Sequence, residues 1–230
     1  MQYADVTERF IAARYPRASV AVVAGSTARG ERTTTSDIDL LLLGDALFED
    51  EHKTSEAATH VFEGEVFEVF AYTANGFDEW AARGVADHRP VIATMLVEGI
   101  AVCDDGRLAE LRRSWTAVLD AGPALSDHES AFRRYMVADA LDDLRDATDP
   151  FERQVIAYLL FQRTAELMLL RAGRWIATGK WLPRRLRSMS TERALGLSRP
   201  LLDGDYGLFA TRVEEELDRA GGRVQDGFVR

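Results

Sequence analysis

From Asp37 to Gly44 the chain reads DIDLLLLG, five aliphatic residues, four of them consecutive, entered through two carboxylates. A run this short and this apolar, flanked by turn residues, reads as a core strand. Side chains alternate across a strand, so Asp37 and Asp39 project from the same face, ~7 Å apart, while Ile38, Leu40 and Leu42 pack the other. Two aligned, partly buried anions repel each other and are costly to desolvate unless a cation compensates them. A hard divalent ion with oxygen ligands, such as Mg²⁺, is the natural compensation. The other reading of the pair is a turn that starts the strand after a polar loop.

Upstream, the short run AVVAG ends in Gly25-Ser26. A glycine turn followed by a small hydroxyl lets backbone N–H groups approach phosphate oxygens closely. Phosphates on one side and paired carboxylates on the other describe metal-assisted attack on a nucleoside triphosphate.

These residues resemble a known signature. Gly25-Ser26, ten intervening residues and then Asp37-Ile38-Asp39 is similar to the nucleotidyltransferase motif of the DNA polymerase β superfamily, at the spacing of minimal nucleotidyltransferases and aminoglycoside adenylyltransferases. The resemblance covers about residues 1–104. It implies that the Gly-Ser turn holds the β and γ phosphates of ATP or another NTP and that the Asp pair binds two Mg²⁺ ions. It also implies a third carboxylate on a later strand, acting as metal ligand or general base. In GEVFEVFAYT the candidates are Glu65 and Glu68, on opposite faces because their numbers differ by an odd count. Glu68 lies in mid-strand among Val66, Phe67, Val69 and Phe70, whereas Glu65 sits beside Gly64 and reaches water, so Glu68 is chosen. Arg29 and Arg32 follow the Gly-Ser turn as candidate phosphate contacts or solvated loop arginines. Lys180, in a Thr-Gly-Lys triplet, resembles a phosphate-binding lysine in the helical domain of streptomycin adenylyltransferases, and reads equally as a lysine after a glycine helix stop.

The texture of the chain changes near its middle. Residues 18–104 carry short β-branched and apolar runs with helical patterns at 76–83 and 88–98, a small mixed α/β unit. From about 105 onward the pattern is helical, with Ser126 and Asp149-Pro150 as starts and Gly122, Gly173 and Gly221-Gly222 as stops. Residues 155–170 are apolar nearly all round, as in the central helix of a bundle. The expected fold class is α+β: a small mixed-sheet nucleotidyltransferase domain over 1–104, then an all-α helical bundle domain over 105–230, with a cleft between them. Arg163 and Glu166, one turn apart, are expected to form a structural ion pair. Trp175 and Trp181 are expected to pack in the core. Arg83 and His88 match an Arg-x4-His pattern of helical ribonuclease toxins, but Asp87-His88-Arg89-Pro90 reads as a turn entering a helix.

Charge and cysteine content limit the partners. A net charge of -10 argues against a long nucleic-acid backbone, whose affinity comes from many Lys and Arg contacts. No stretch has transmembrane length and the N-terminus reads as an amphipathic helix, so no membrane partner is expected. One cysteine, Cys103, allows no internal disulfide, which fits a reducing cytoplasm. Asp139, Asp142, Asp143 and Asp146 recur at helical spacing as an acidic stripe, a solvated face or an attractor for a cationic acceptor. The resemblance implies a Mg²⁺-dependent transfer of NMP, AMP by preference, from an NTP to a hydroxyl of a small-molecule acceptor, as in antibiotic adenylyltransferases. The alternative is an antitoxin-type nucleotidyltransferase that modifies a partner protein.

Overall fold

The computed structural model describes residues 2–224 and 229, so Met1, 225–228 and Arg230 of the expected ranges lie outside the described residues. The first of two compact units runs from Met1 to Ala121. It contains α1 (Gln2–Arg14), β1 (Val20–Val23), a single turn α2 (Gly25–Ala28), β2 (Ile38–Leu43), β3 (Ser55–Phe62), β4 (Glu65–Tyr72), α3 (Ala74–Ala86), α4 (Val91–Glu98), β5 (Ile100–Cys103) and α5 (Leu108–Ala121). The five strands form one mixed sheet in the order β3-β4-β2-β1-β5, in which β2 and β4 run parallel and the other pairs antiparallel.

Strands β1 and β2 occupy the sheet interior with helices on both faces, which is why their sequences do not alternate. Ile38, Leu40 and Leu42 pack with Phe67 and Val69 against Val6, Phe10 and Ile11 of α1. Leu41 and Leu43 face the other way, onto Phe77, Ala81, Leu96 and Leu108. Phe10 is fully buried and its ring stacks on Phe67 at 4.1 Å between centroids. The β3–β4 hairpin turns through Glu63-Gly64, both at positive φ (49° and 85°), the backbone of a two-residue turn whose twist matches the strands.

Helix α5 belongs to this unit, so the division falls at Ala121, beyond the expected break near residue 105. The physical reason is packing: Leu111, Trp115 and Leu119 cover the core around Phe77, and Arg112 donates to Leu96 O (3.0 Å) and Gly99 O (2.7 Å). Helical periodicity alone does not say which core a helix covers. Arg83 closes α3 with its guanidinium over the Trp80 ring, and His88 lies in the turn before α4.

The second unit, Gly122 to Arg230, is helical: α6 (Asp127–Asp146), α7 (Pro150–Arg171), α8 (Trp181–Met189), α9 (Thr191–Leu202) and α10 (Tyr206–Arg219). The two predicted starts are caps. Ser126 Oγ accepts from Glu129 N, and Asp149 accepts from Phe151 N and Glu152 N ahead of Pro150. Leu160, Leu167 and Met168 of α7 share a core with Val137 and Leu141 of α6 and with Phe209, Val213 and Leu217 of α10. Helix α7 is thus central in its second half, while Phe151, Val155, Tyr158 and Leu159 on its first turns are exposed. Glu216, nearly buried on α10, is held by Arg193 and Arg219.

Three local expectations are corrected. Arg163 does not pair with Glu166: it donates to Met136 O at 3.0 Å, while Glu166 accepts from Gln162 (3.1 Å) and faces Arg133 (3.5 Å). A neighbouring helix offered each group a partner that one-turn spacing could not reveal. Trp175 and Trp181 are only partly buried, and the Trp181 ring lies under Arg184, 4.7 Å from its guanidinium carbon. The acidic stripe is interrupted, because Asp142 pairs with Arg223 (2.8 Å) and Arg145 (3.8 Å), whereas Asp139, Asp143 and Asp146 are exposed.

The packing makes a direct prediction. Phe10→Ala removes a fully buried, stacked ring and should cost about 3–5 kcal/mol, whereas Phe151→Ala, at an exposed site, should stay within about 0.5 kcal/mol. Urea unfolding followed by circular dichroism measures both, and equal effects would contradict the assigned core.

Candidate active site

The candidate site stands on β2 and β4. Asp37 immediately precedes β2 and Asp39 is its second residue. Because β4 runs parallel to β2 with Asp39 opposite Glu68, the Glu68 side chain emerges on the same sheet face. The three half-buried residues each bring a carboxylate oxygen within 4.8 Å of the others'. Burial, followed by repulsion from Asp37 and Asp39, pushes the Glu68 carboxyl above its ordinary range. This arrangement of hard oxygen donors, with unfavourable mutual charge, suits a divalent cation.

Backbone bonds fix the two aspartates. Ala24 N donates to Asp39 O (2.8 Å), tying the end of β1 to the start of β2. The buried Thr27 hydroxyl donates to Asp37 O (3.1 Å). Thr27 was not among the sequence candidates, and the signal that could have found it is its place directly after Gly25-Ser26. Gly25 has φ +64°, and a Cβ there would lie 1.6 Å from Asp39 Oδ2. Only glycine lets the turn approach the carboxylate this closely.

Ser26 follows in α2, and its carbonyl accepts from Glu31 N (2.9 Å), which curls the loop back on itself. Arg29 ends that turn with its side chain one-third exposed and its Nε 3.5 Å from Glu31. Arg32 bonds Ser36 O (3.2 Å) and pairs with Glu65. Glu65 is therefore engaged by the loop arginine, and Glu68 is the strand carboxylate that the fold brings to Asp37 and Asp39. Lys180 belongs to the second unit, where it is exposed just ahead of α8, with its Nζ 6.0 Å from the Trp181 ring centroid. Among the described residues no helix is long and apolar enough to cross a membrane.

Residues 6–81, from α1 into α3, match the family described as nucleotidyltransferase domain, and this span contains Gly25, Ser26, Asp37, Asp39 and Glu68. Among solved structures, a nucleotidyltransferase-like protein from Exiguobacterium sibiricum shares the fold at a TM-score of 0.52 and 12% identity, over 94% of this chain and 75% of that one. Comparison with curated protein sequences gives no match. The glycine turn against Asp39 and the carboxylates of β2 and β4 thus sit within the part of the chain that is similar to the nucleotidyltransferase domain family.

Proposed function

We propose that the enzyme transfers a nucleoside monophosphate, AMP by preference, from an NTP to a hydroxyl of a small-molecule acceptor in the cytoplasm, with two Mg²⁺ ions at Asp37, Asp39 and Glu68. The observation that carries this reading is the convergence of three carboxylate oxygens within 4.8 Å beside a turn that only glycine can make. Asp37 and Asp39 would hold the cations, with Glu68 as the third ligand. When bound, the cations supply neutralisation of phosphate charge and lower the proton affinity of a coordinated hydroxyl.

The chain's own groups have distinct tasks in this proposal. The amides of the Gly25-Ser26 turn hold the β and γ phosphates, and Arg29 contributes positive charge to the triphosphate. Glu68, on the sheet face shared with the aspartates, is the group placed to accept the acceptor's hydroxyl proton. The acceptor oxygen bonds to the α-phosphorus as the bond to the bridging oxygen breaks, and pyrophosphate leaves. A small acceptor is favoured over a long nucleic acid because net charge -10 disfavours a phosphate backbone.

Incubation with Mg²⁺ and each α-labelled NTP, against a panel of hydroxyl-bearing antibiotics and lysate proteins, tests the proposal. Label on a small molecule with pyrophosphate release is the expected outcome; label on protein alone would overturn the choice of acceptor.

Asp37→Asn and Asp39→Asn should each abolish transfer and the Mg²⁺-dependent rise in melting temperature, while the metal-free protein melts at the same temperature or higher because repulsion is relieved. Differential scanning calorimetry with and without EDTA reads both effects. Glu68→Gln should lower turnover by on the order of 10²-fold, with Glu65→Gln close to wild type. Gly25→Ala should remove both Mg²⁺ and NTP binding by titration calorimetry, since the added carbon meets Asp39 Oδ2 and the φ of +64° strains any L side chain.

A further inference from the structure

In the helical unit, a cavity of about 320 Å³ opens between α6 and α7, lined by Glu129, Phe132, Arg133, Met136, Arg163 and Glu166. The α6 members are spaced 129, 132, 133 and 136, so they share one helical face. Phe132 and Met136 give that face an apolar wall.

The charged members divide unequally. Arg133 is shared by two carboxylates, Glu129 at 3.0 Å and Glu166 at 3.5 Å. Glu166 also accepts from Gln162. Arg163 is half-buried and donates Nη1 to the Met136 carbonyl, and among the described residues no carboxylate pairs with it. A guanidinium has five N–H donors in a planar fork, so this bond leaves most of them for a ligand. An arginine anchored by a neutral carbonyl inside a cavity is a receptor for a planar anion.

We propose that this cavity binds a small monoanionic carboxylate with an apolar body, independently of the transfer site. The carboxylate lies on the Arg163 fork and the apolar body on Phe132 and Met136. Charge decides against phosphate. The four ionised side chains sum to zero, so a carboxylate brings the site to -1, whereas a dianionic phosphate would bring it to -2 beside Glu129 and Glu166. The cavity volume lies at the lower end of that of ordinary small-ligand sites.

Titration calorimetry of the full chain with 4-phenylbutyrate tests this, with 4-phenylbutanamide and phenyl phosphate as comparison probes. Saturable binding of the carboxylate is expected, with a Kd on the order of 0.1–1 mM for so small a ligand, and at least about tenfold weaker binding of the amide and the phosphate. Arg163→Gln should weaken 4-phenylbutyrate about tenfold or more. Met136→Trp, which keeps Arg163 and fills the cavity, should abolish the binding while circular dichroism and melting temperature show an intact fold. If Arg163→Gln fails to fold, the amide comparison and Met136→Trp still decide. Absence of saturable binding, equal binding of the amide or phosphate, or binding unchanged in Met136→Trp would overturn the proposal.

Discussion

Mutual repulsion among three carboxylates is the constraint on which the N-terminal unit depends. Asp37, Asp39 and Glu68 bring oxygens within 4.8 Å of one another on the face of a sheet whose neighbouring positions are apolar. Left to side-chain energetics, such groups would splay apart or take up protons. They are held instead by backbone, through the parallel register of β2 and β4 and the bonds from Ala24 and Thr27 to the carbonyls of Asp39 and Asp37. Bonds to main-chain carbonyls fix the position of the two aspartates without bringing a positive charge to them. Burial first, and then the neighbouring charges of Asp37 and Asp39, raise the proton affinity of Glu68.

The same backbone scheme explains the apolar surroundings. Strands β1 and β2 are buried on both faces, so the site rests on a rigid interior, with the Phe10–Phe67 stack beneath it on the α1 side. A close-packed interior resists the small displacements that charge repulsion would otherwise cause. Gly25 completes the arrangement because its missing Cβ is the space that Asp39 Oδ2 occupies.

The helical unit handles charge differently. Several of its ionised groups are satisfied in side-chain networks: Glu214 with Arg145 and Arg223, Glu216 with Arg193 and Arg219, and Arg133 between Glu129 and Glu166. The pairing of Asp142 with Arg223 draws one carboxylate out of what the helical spacing alone presents as a uniform acidic face. Arg163 differs from these: it is anchored on the Met136 carbonyl and has no carboxylate partner among the described residues.

Local patterns carried much of this protein. The DIDLLLLG strand, the Gly25-Ser26 turn, the helix starts at Ser126 and Asp149 and the change from strands to helices depend on periodicity, backbone freedom and capping within a few residues. Strand alternation also places Glu65 and Glu68 on opposite faces, and the carboxylate that lies near Asp37 and Asp39 is that of Glu68. Three-dimensional packing decided the rest. The register that sets Glu68 beside Asp39 joins residues 29 positions apart, and nothing local specifies it. The assignment of α5 to the first unit, the transfer of Glu166 from Arg163 to Arg133 and the loss of Asp142 from the acidic stripe likewise depend on which surface lies next to which. The sequence by itself determined which groups each element presents; only the tertiary structure decided which partners those groups meet, because pairing energies depend on distances set by the whole packed chain.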